Sequence, residues 1–312
     1  MVVVFGSINL DLVARVPRLP RPGETLAGSG FATSPGGKGA NQALAARRAG
    51  ADVAMFGAVG RDAFALPALA LLEAAGIDLA GVRATDAATG VALIHVDDAG
   101  QNAITVIPGA NALARAADVP DGVLGPGTTL MLQFETPHGE SLALARRARA
   151  RGARVVLNPA PAAALPPAWF EAIDVLIANE TEAAEIARPL GLPGSPREFA
   201  AALSARHDLV VVATLGGDGA FAAAAGTGYR VAALPVVARD TVGAGDAFAG
   251  AFAAALERGD AVDAALALAT AAGSIACTRA GAQAALPAAA ETAQAAAPLL
   301  SSISRTPLRD LR

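Results

Sequence analysis

The chain has 312 residues, 54% of them hydrophobic and 17% charged, with a formal net charge of -4. That length supports a large buried core in one α/β domain spanning 1–312, and the charge balance offers no basic footprint for nucleic acid. A single cysteine, Cys277, excludes an internal disulfide and fits a reducing, cytoplasmic location.

The opening MVVVFGSINLDL has neither the basic segment nor the cleavage site of a signal peptide. No apolar run reaches the roughly 18 residues that span a bilayer, so no membrane partner is expected. The β-branched run Val2 to Val4 reads as a buried strand. Ala40 to Ala49 reads as a helix ending at Gly50, Val53 to Val59 as a strand, and Phe64 to Ala75 as a helix stopped by Gly76. Further strands are predicted at Leu130 to Phe134, Val155 to Leu157, Val175 to Ile177 and Leu209 to Ala213. Helices are predicted between them, near Glu140 to Ala150, Glu180 to Ala187 and Glu198 to Arg206. Strand alternating with helix implies a doubly wound, mostly parallel α/β sheet flanked by helices. Two helices close the pattern, Asp246 to Arg258 and Asp263 to Cys277, with Cys277 read as a small buried hydrophobe. The Ala-rich, then Arg-rich tail after Ala288 is expected to be partly disordered.

One region breaks the alternation. Gly90 to Val96 and Gln101 to Ile107 are strand-like runs joined by Asp97-Asp98-Ala99-Gly100, a hairpin signal. Asp11 to Phe31 is extended and rich in Pro and Gly. Together, about 11–31 and 90–107 predict a small β-sheet lid inserted in the domain. A plain surface hairpin is the alternative.

The stretch DTVGAGDAFAGAF, Asp240 to Phe252, sets Asp246 just after a Gly-Ala-Gly turn that opens a helix. Taken alone, it fits both a capped helix and a phosphate site on helix N-terminal amides. Other nucleotide and catalytic signatures fail. Gly37-Lys38 lacks the glycine at position 32 and the Ser/Thr that a P-loop needs; FGSINLD lacks a dinucleotide fingerprint; His95, His138 and His207 are scattered. What remains is a series of polar groups at successive strand ends. They are Asn9 and Asp11, Gly36 to Asn41, Glu135, Asn179 to Glu182, and Thr214 to Gly219. Ligands of parallel sheets bind at the carboxyl ends of strands, so these groups point to one cleft.

With these motifs in view, the chain resembles the ribokinase (PfkB-type) family of carbohydrate kinases. GSINLD, PGGKGANQA, TGVALI, PGAN, NPAPA, NETEA, TLGGDG, DTVGAGDAF and TRAGAQ follow one another from about Val3 to Gln283 in the family's order. The resemblance implies ATP and Mg²⁺ as co-substrates and phosphoryl transfer to a primary sugar hydroxyl. It implies Asp246 as catalytic base and Gly243, Ala244 and Gly245 as an anion hole. Asn9, Asp11, Gly37, Lys38, Asn41 and Glu135 match the family's sugar contacts. Asn179, Thr214, Gly216, Gly217, Asp218, Gly219, Gly245 and Thr270 match its ATP contacts, and Glu182 its Mg²⁺-phosphate network. Asp240, Val242, Ala276, Arg279, Gly281 and the region of Ala285 match a site for K⁺. Two positions depart from the pattern: Thr270 stands where His or Asn often lies beside adenine, and Ala284-Ala285 replaces Pro-Ser.

The leading expectation is an ATP-dependent kinase of D-ribose acting at the 5-hydroxyl. Alternatives in the family act on fructose, deoxyribose, 2-keto-3-deoxygluconate or a nucleoside. The 4% aromatic content offers little to stack a nucleoside base. A non-catalytic sugar-binding regulator would not need Asp246 or its glycines. A nicotinamide-dependent oxidoreductase would need the fingerprint missing near Gly6. A homodimer joined through the lid sheet is expected, since a free sheet edge invites pairing.

Overall fold

The structure, a computed structural model, describes residues 1–310. The first half of the chain runs β1 (Val2–Phe5), β2 (Asn9–Arg15), β3 (Gly30–Gly36), α1 (Lys38–Arg48), β4 (Val53–Gly60), α2 (Ala65–Ala74), β5 (Asp78–Thr85), β6 (Gly90–Val96) and β7 (Asn102–Ile107). It continues with β8 (Thr129–Leu132), α3 (His138–Ala150), β9 (Arg154–Leu157), β10 (Val175–Asn179), α4 (Glu180–Leu190), α5 (Pro196–His207) and β11 (Val210–Thr214). Then come β12 (Ala220–Ala224), β13 (Thr227–Val231), α6 (Ala244–Glu257), α7 (Val262–Ala276), α8 (Ala289–Ser302) and β14 (Ser304–Pro307).

Ten strands form the main sheet in the order β14-β13-β12-β11-β10-β9-β8-β1-β4-β5. The seven from β11 to β5 are parallel, and β12, β13 and β14 add antiparallel pairs at one edge. The sheet is doubly wound because successive side chains of a strand face opposite sides. Val2 and Val4 pack with α1, α2, α6, α7 and α8, while Val3 and Phe5 pack with α3, α4 and α5. This is why β1 reads VVVF without alternation: both of its faces are covered.

The second sheet has the order β3-β2-β6-β7, with β2 and β6 parallel and the outer pairs antiparallel. It is built from the two segments that broke the pattern. Its strands take 9–15 and 30–36 rather than the whole of 11–31.

Four features differ from expectation. The Ala-rich tail is ordered as α8 and β14, because Ala296, Leu299 and Ile303 are buried in the core. β12 (AFAAA), for which no element was expected, is a strand fully buried between β11 and β13, although alanine favours helix. α6 begins at Ala244 with Gly243 as its N-cap, so Asp246 lies in the first turn and is not the cap. Cys277 sits just past α7 and is partly exposed rather than buried.

α6 also lies unusually close to α1. A Cβ on Gly250 would fall 2.5 Å from Ala45 Cβ and 2.6 Å from the Gln42 carbonyl oxygen, so only glycine fits there. This contact brings the first turns of α1 and α6 together.

Candidate active site

Three adjoining cavities lie along the carboxyl ends of the parallel strands. The first, about 690 Å³, is lined by Asn9, Asp11, Gly37, Lys38, Asn41, Glu135 and Asp246, so the expected sugar set is gathered there. Ala92, Ile94, Ile104 and Val106 of the small sheet line the same cavity. The second, about 420 Å³, holds Thr214, Gly216, Gly217, Gly219 and Thr270 against apolar walls that include Leu234, Val236 and Phe248. A third, about 200 Å³, holds Lys38, Asn158, Asn179 and Glu182. Asp246 lines the first and third cavities, and Gly245 the second and third. Gly243 also lines the first and third, so one carboxylate and two glycines stand where the three spaces meet. Asp218 lines none of the three, nor do Asp240, Ala276, Arg279, Gly281 and Ala285.

The polar walls of the first cavity are held from behind. Asn111 Nδ2 donates to Asn9 Oδ1 at 2.7 Å and Ile8 N donates to Asn111 Oδ1 at 2.9 Å, so Asn9 keeps its NH₂ to offer. Ser7 Oγ and the Lys38 main-chain N both donate to Glu135 Oε2, at 2.5 and 3.0 Å. The Glu135 carboxylate therefore sits at the N-terminus of α1, where negative charge is favourable. Asn41 Nδ2 donates to Asp246 Oδ2 at 2.9 Å, while Asn41 Oδ1 is buried without a partner. Burial, then Glu135 and Asp246, push the Asp11 carboxyl up to about 6. Asp246, against opposing burial, raises the Lys38 ammonium, with help from Glu135 and Glu182. Lys38 is thus the positive centre of an otherwise acidic site.

On the phosphate side, the NETE segment makes a capping box. Glu182 N donates to Asn179 Oδ1 and Asn179 N donates to Glu182 Oε2, both at 2.9 Å. Burial pushes the Glu182 carboxyl up. At the start of α6, Gly243 has φ 77°, and a Cβ there would lie 2.8 Å from Ala282 Cα. The turn therefore requires glycine, and it presents the first amides of α6, which have no partners inside their own helix. In the second cavity, Thr270 Oγ1 is buried and unpartnered.

Behind this turn, Val242 N donates to Asp240 Oδ1 at 3.0 Å and Gly281 N donates to Asp240 Oδ2 at 2.9 Å. Cys277 O accepts from the main-chain N of both Arg239 and Asp240. The two loops expected to hold a cation are therefore in contact. The Arg279 side chain pairs with Glu291, leaving only its carbonyl to offer. Ala285 is fully buried, and its side chain carries no donor oxygen.

The model of the pfkB family of carbohydrate kinases matches residues 1–289. The chain belongs to that family. This pfkB-family kinase is 37% identical over 295 residues to a ribokinase of Haemophilus influenzae, covering 93% of this chain and 96% of the relative. The solved structure of a Thermotoga maritima ribokinase superposes with a TM-score of 0.86 at 32% identity, covering 94% of this chain and 98% of the other. An Arabidopsis thaliana ribokinase, solved with ribose and ATP, gives 0.84 at 29% identity, covering 95% and 98%.

Several residues that brace these cavities had no role in the sequence reading. Ser7, Gln42, Asn111 and Asn158 all lie inside motifs that carry the family pattern, in GSINLD, GGKGANQA, PGAN and NPAPA. Motif membership was their only signal. Their hydrogen-bond partners lie far along the chain, as with Ser7 and Glu135, 128 positions apart.

Proposed function

We propose that this kinase transfers the γ-phosphoryl group of ATP to the 5-hydroxyl of D-ribose, giving ribose 5-phosphate and ADP. The observation that carries the reading is Asp246 at the junction of the polar cavity and the phosphate-side cavity, in the first turn of α6. The Haemophilus influenzae and Thermotoga maritima relatives are ribokinases, and the Arabidopsis thaliana one binds ribose and ATP. That likeness supports ribose over other sugars. The mixed acidic, amide and ammonium lining of the first cavity suits a small polyhydroxy compound.

In this reading the sugar lies among Asn9, Asp11, Gly37, Lys38, Asn41 and Glu135. Its 5-hydroxyl faces Asp246, which accepts the hydroxyl proton as the oxygen attacks the γ-phosphorus. The amides of Gly243, Ala244 and Gly245, with the Lys38 ammonium, hold the charge on the moving phosphoryl group. The nucleotide occupies the second cavity against Thr214, Gly216, Gly217, Gly219 and Thr270, with Asn179 and Gly245 toward its phosphates. Asp218 takes no part in the wall of that cavity.

The residues present fit both expected cations. Glu182 already accepts from Asn179 N and Nδ2. With Asn179 it suits a Mg²⁺ that keeps its water and phosphate ligands and neutralises phosphate charge. Asp240 has accepted one N–H bond on each oxygen and retains lone pairs. With the carbonyls of Val242, Ala276, Arg279 and Gly281 it suits a large, weakly hydrated cation such as K⁺. The small sheet acts as a lid, and its open edge strands β3 and β7 would join two copies as a homodimer. Among the described residues no helix is long and apolar enough to cross a membrane.

An ATP-consumption screen across pentoses, hexoses and nucleosides tests the reading. Highest kcat/KM with D-ribose is expected. A clear preference for 2-deoxyribose, a hexose or a nucleoside would overturn it.

A further inference from the structure

Gln42 lies in the second turn of α1 and is fully buried. Its Nε2 donates to Asp246 Oδ1 and to Asn158 Oδ1, both at 2.9 Å. Its Oε1 accepts from Gln133 Nε2 at 2.7 Å. An amide nitrogen has two hydrogens, so both are committed. Asn158 Nδ2 donates to the main-chain oxygen of Ile177 at 2.9 Å and lies 3.5 Å from Glu182 Oε2. Each amide orientation follows from the next. The Ile177 carbonyl fixes which end of Asn158 is the donor, and so which end is the oxygen. That oxygen and the Asp246 carboxylate then require nitrogen at their end of Gln42. A reversed Gln42 would set its oxygen against two acceptors in a buried site.

We propose that Gln42 is a positioning residue for phosphoryl transfer, linking Asp246 to Glu182 through Asn158 so that the sugar side and the phosphate side hold one relative geometry. The proposal rests on Asp246 acting as the base. With Oδ1 held by Gln42 and Oδ2 by Asn41, the carboxylate is fixed in one orientation and its free lone pairs point in a set direction. A carboxylate without one of these donors would have a softer orientation and a less favoured ionised form. The α1–α6 contact at Gly250 makes the link short enough to form, since it is the Gln42 carbonyl that Gly250 abuts. The charged groups around Asp246 are Lys38 of α1, Asp11 of β2 and Glu182 of α4, with Glu135 beside the first two. None of them is altered in the variants below.

The test is steady-state kinetics across pH for Gln42→Leu and Gln133→Met, with melting curves. Gln42→Leu keeps the volume and removes the donors. Its kcat falls on the order of 10- to 100-fold, both KM values stay near wild type, and the acid-side midpoint of the kcat profile moves to higher pH. Gln133→Met touches Gln42 only at Oε1 and shifts kcat and midpoint in the same directions by less. Unchanged kcat and midpoint in Gln42→Leu overturn the proposal. So does a loss spread equally over kcat and both KM values alongside a lower melting temperature. An unfolded Gln42→Leu with a fully wild-type Gln133→Met also overturns it, since Gln42 would then serve the core alone. Wild-type protein inactive on every sugar would sink the proposed function, whereas active wild type with indifferent variants sinks this link alone.

Discussion

Asn41 turns one end of its amide to Asp246, donating to Oδ2 at 2.9 Å, and leaves the other end, Oδ1, buried without a partner. A buried acceptor without a donor is destabilising by about 1–3 kcal/mol. A sugar hydroxyl donating to Oδ1 would relieve that while standing next to the proposed base. The same side chain would therefore report sugar occupancy to Asp246, which makes the carboxylate the first thing to remove.

Asp246→Asn keeps an oxygen and the size of the side chain but cannot take a proton. Its kcat falls on the order of 100-fold or more, while calorimetry finds ribose and nucleotide binding near wild type. Turnover close to wild type would leave Asp246 as an ordinary first-turn acid that favours the helix dipole.

Asp11 should give the enzyme a pH signature. Its carboxyl stands at about 6, against 3.8 for an ordinary aspartate, chiefly from burial. Folding thus favours the protonated form, and the group's contribution to stability declines as pH rises from about 3.8 to about 6. Ribose should prefer the ionised form, which accepts hydroxyl hydrogens. KM for ribose therefore rises as pH falls through about 6, while KM for ATP does not follow it. Asp11→Asn raises KM for ribose at neutral pH and flattens this dependence. An equal pH response in both substrates would remove Asp11 from the sugar site.

The small sheet should respond to sugar. Ile104 and Val106 line the first cavity yet are 50% and 45% exposed, which suits an open lid. Hydrogen exchange in β2, β3, β6 and β7 should slow when ribose is added. Unchanged protection in all four strands would exclude closure driven by the sugar.

Thr270 offers two readouts of opposite sign. Thr270→Val removes an unpartnered buried hydroxyl, so the free protein should melt about 2 °C higher. The same change removes a hydroxyl that can donate to or accept from a nucleobase, so KM for ATP rises several-fold with KM for ribose unmoved. A higher melting temperature with unaltered KM for ATP would show that the base does not reach Thr270.

Activity in KCl should exceed activity in NaCl at matched ionic strength. Asp240→Ala should abolish the difference, though it also removes the clasp on Val242 N and Gly281 N. Wild type is therefore the deciding sample. Equal rates in the two salts would eliminate the cation site whatever the variant does.

Six of the seven parallel strands were legible because a covered strand must be apolar throughout, whereas the edge strand β5, DLAGVRAT, is only partly covered and was not. The cleft was legible because glycines and acids crowd the same strand ends. Gln42 and Asn158 were not, although both sit in noticed motifs: an amide's work depends on its partner, and Gln42 finds Asp246 across 204 positions. β12 was missed because AFAAA satisfies a strand only between two existing neighbours. α8 was missed because alanine composition carries no sign of what it will pack against.

β14 guards an edge. It is a four-residue strand that covers the outer side of β13. With Ser304–Pro307 detached, β13 would present an open row of hydrogen-bonding groups to any neighbouring chain. Local release of this one short strand is therefore the step that would expose the main sheet to edge-to-edge association. Once β14 is in place, its shortness and Pro307 leave little for a further strand to extend.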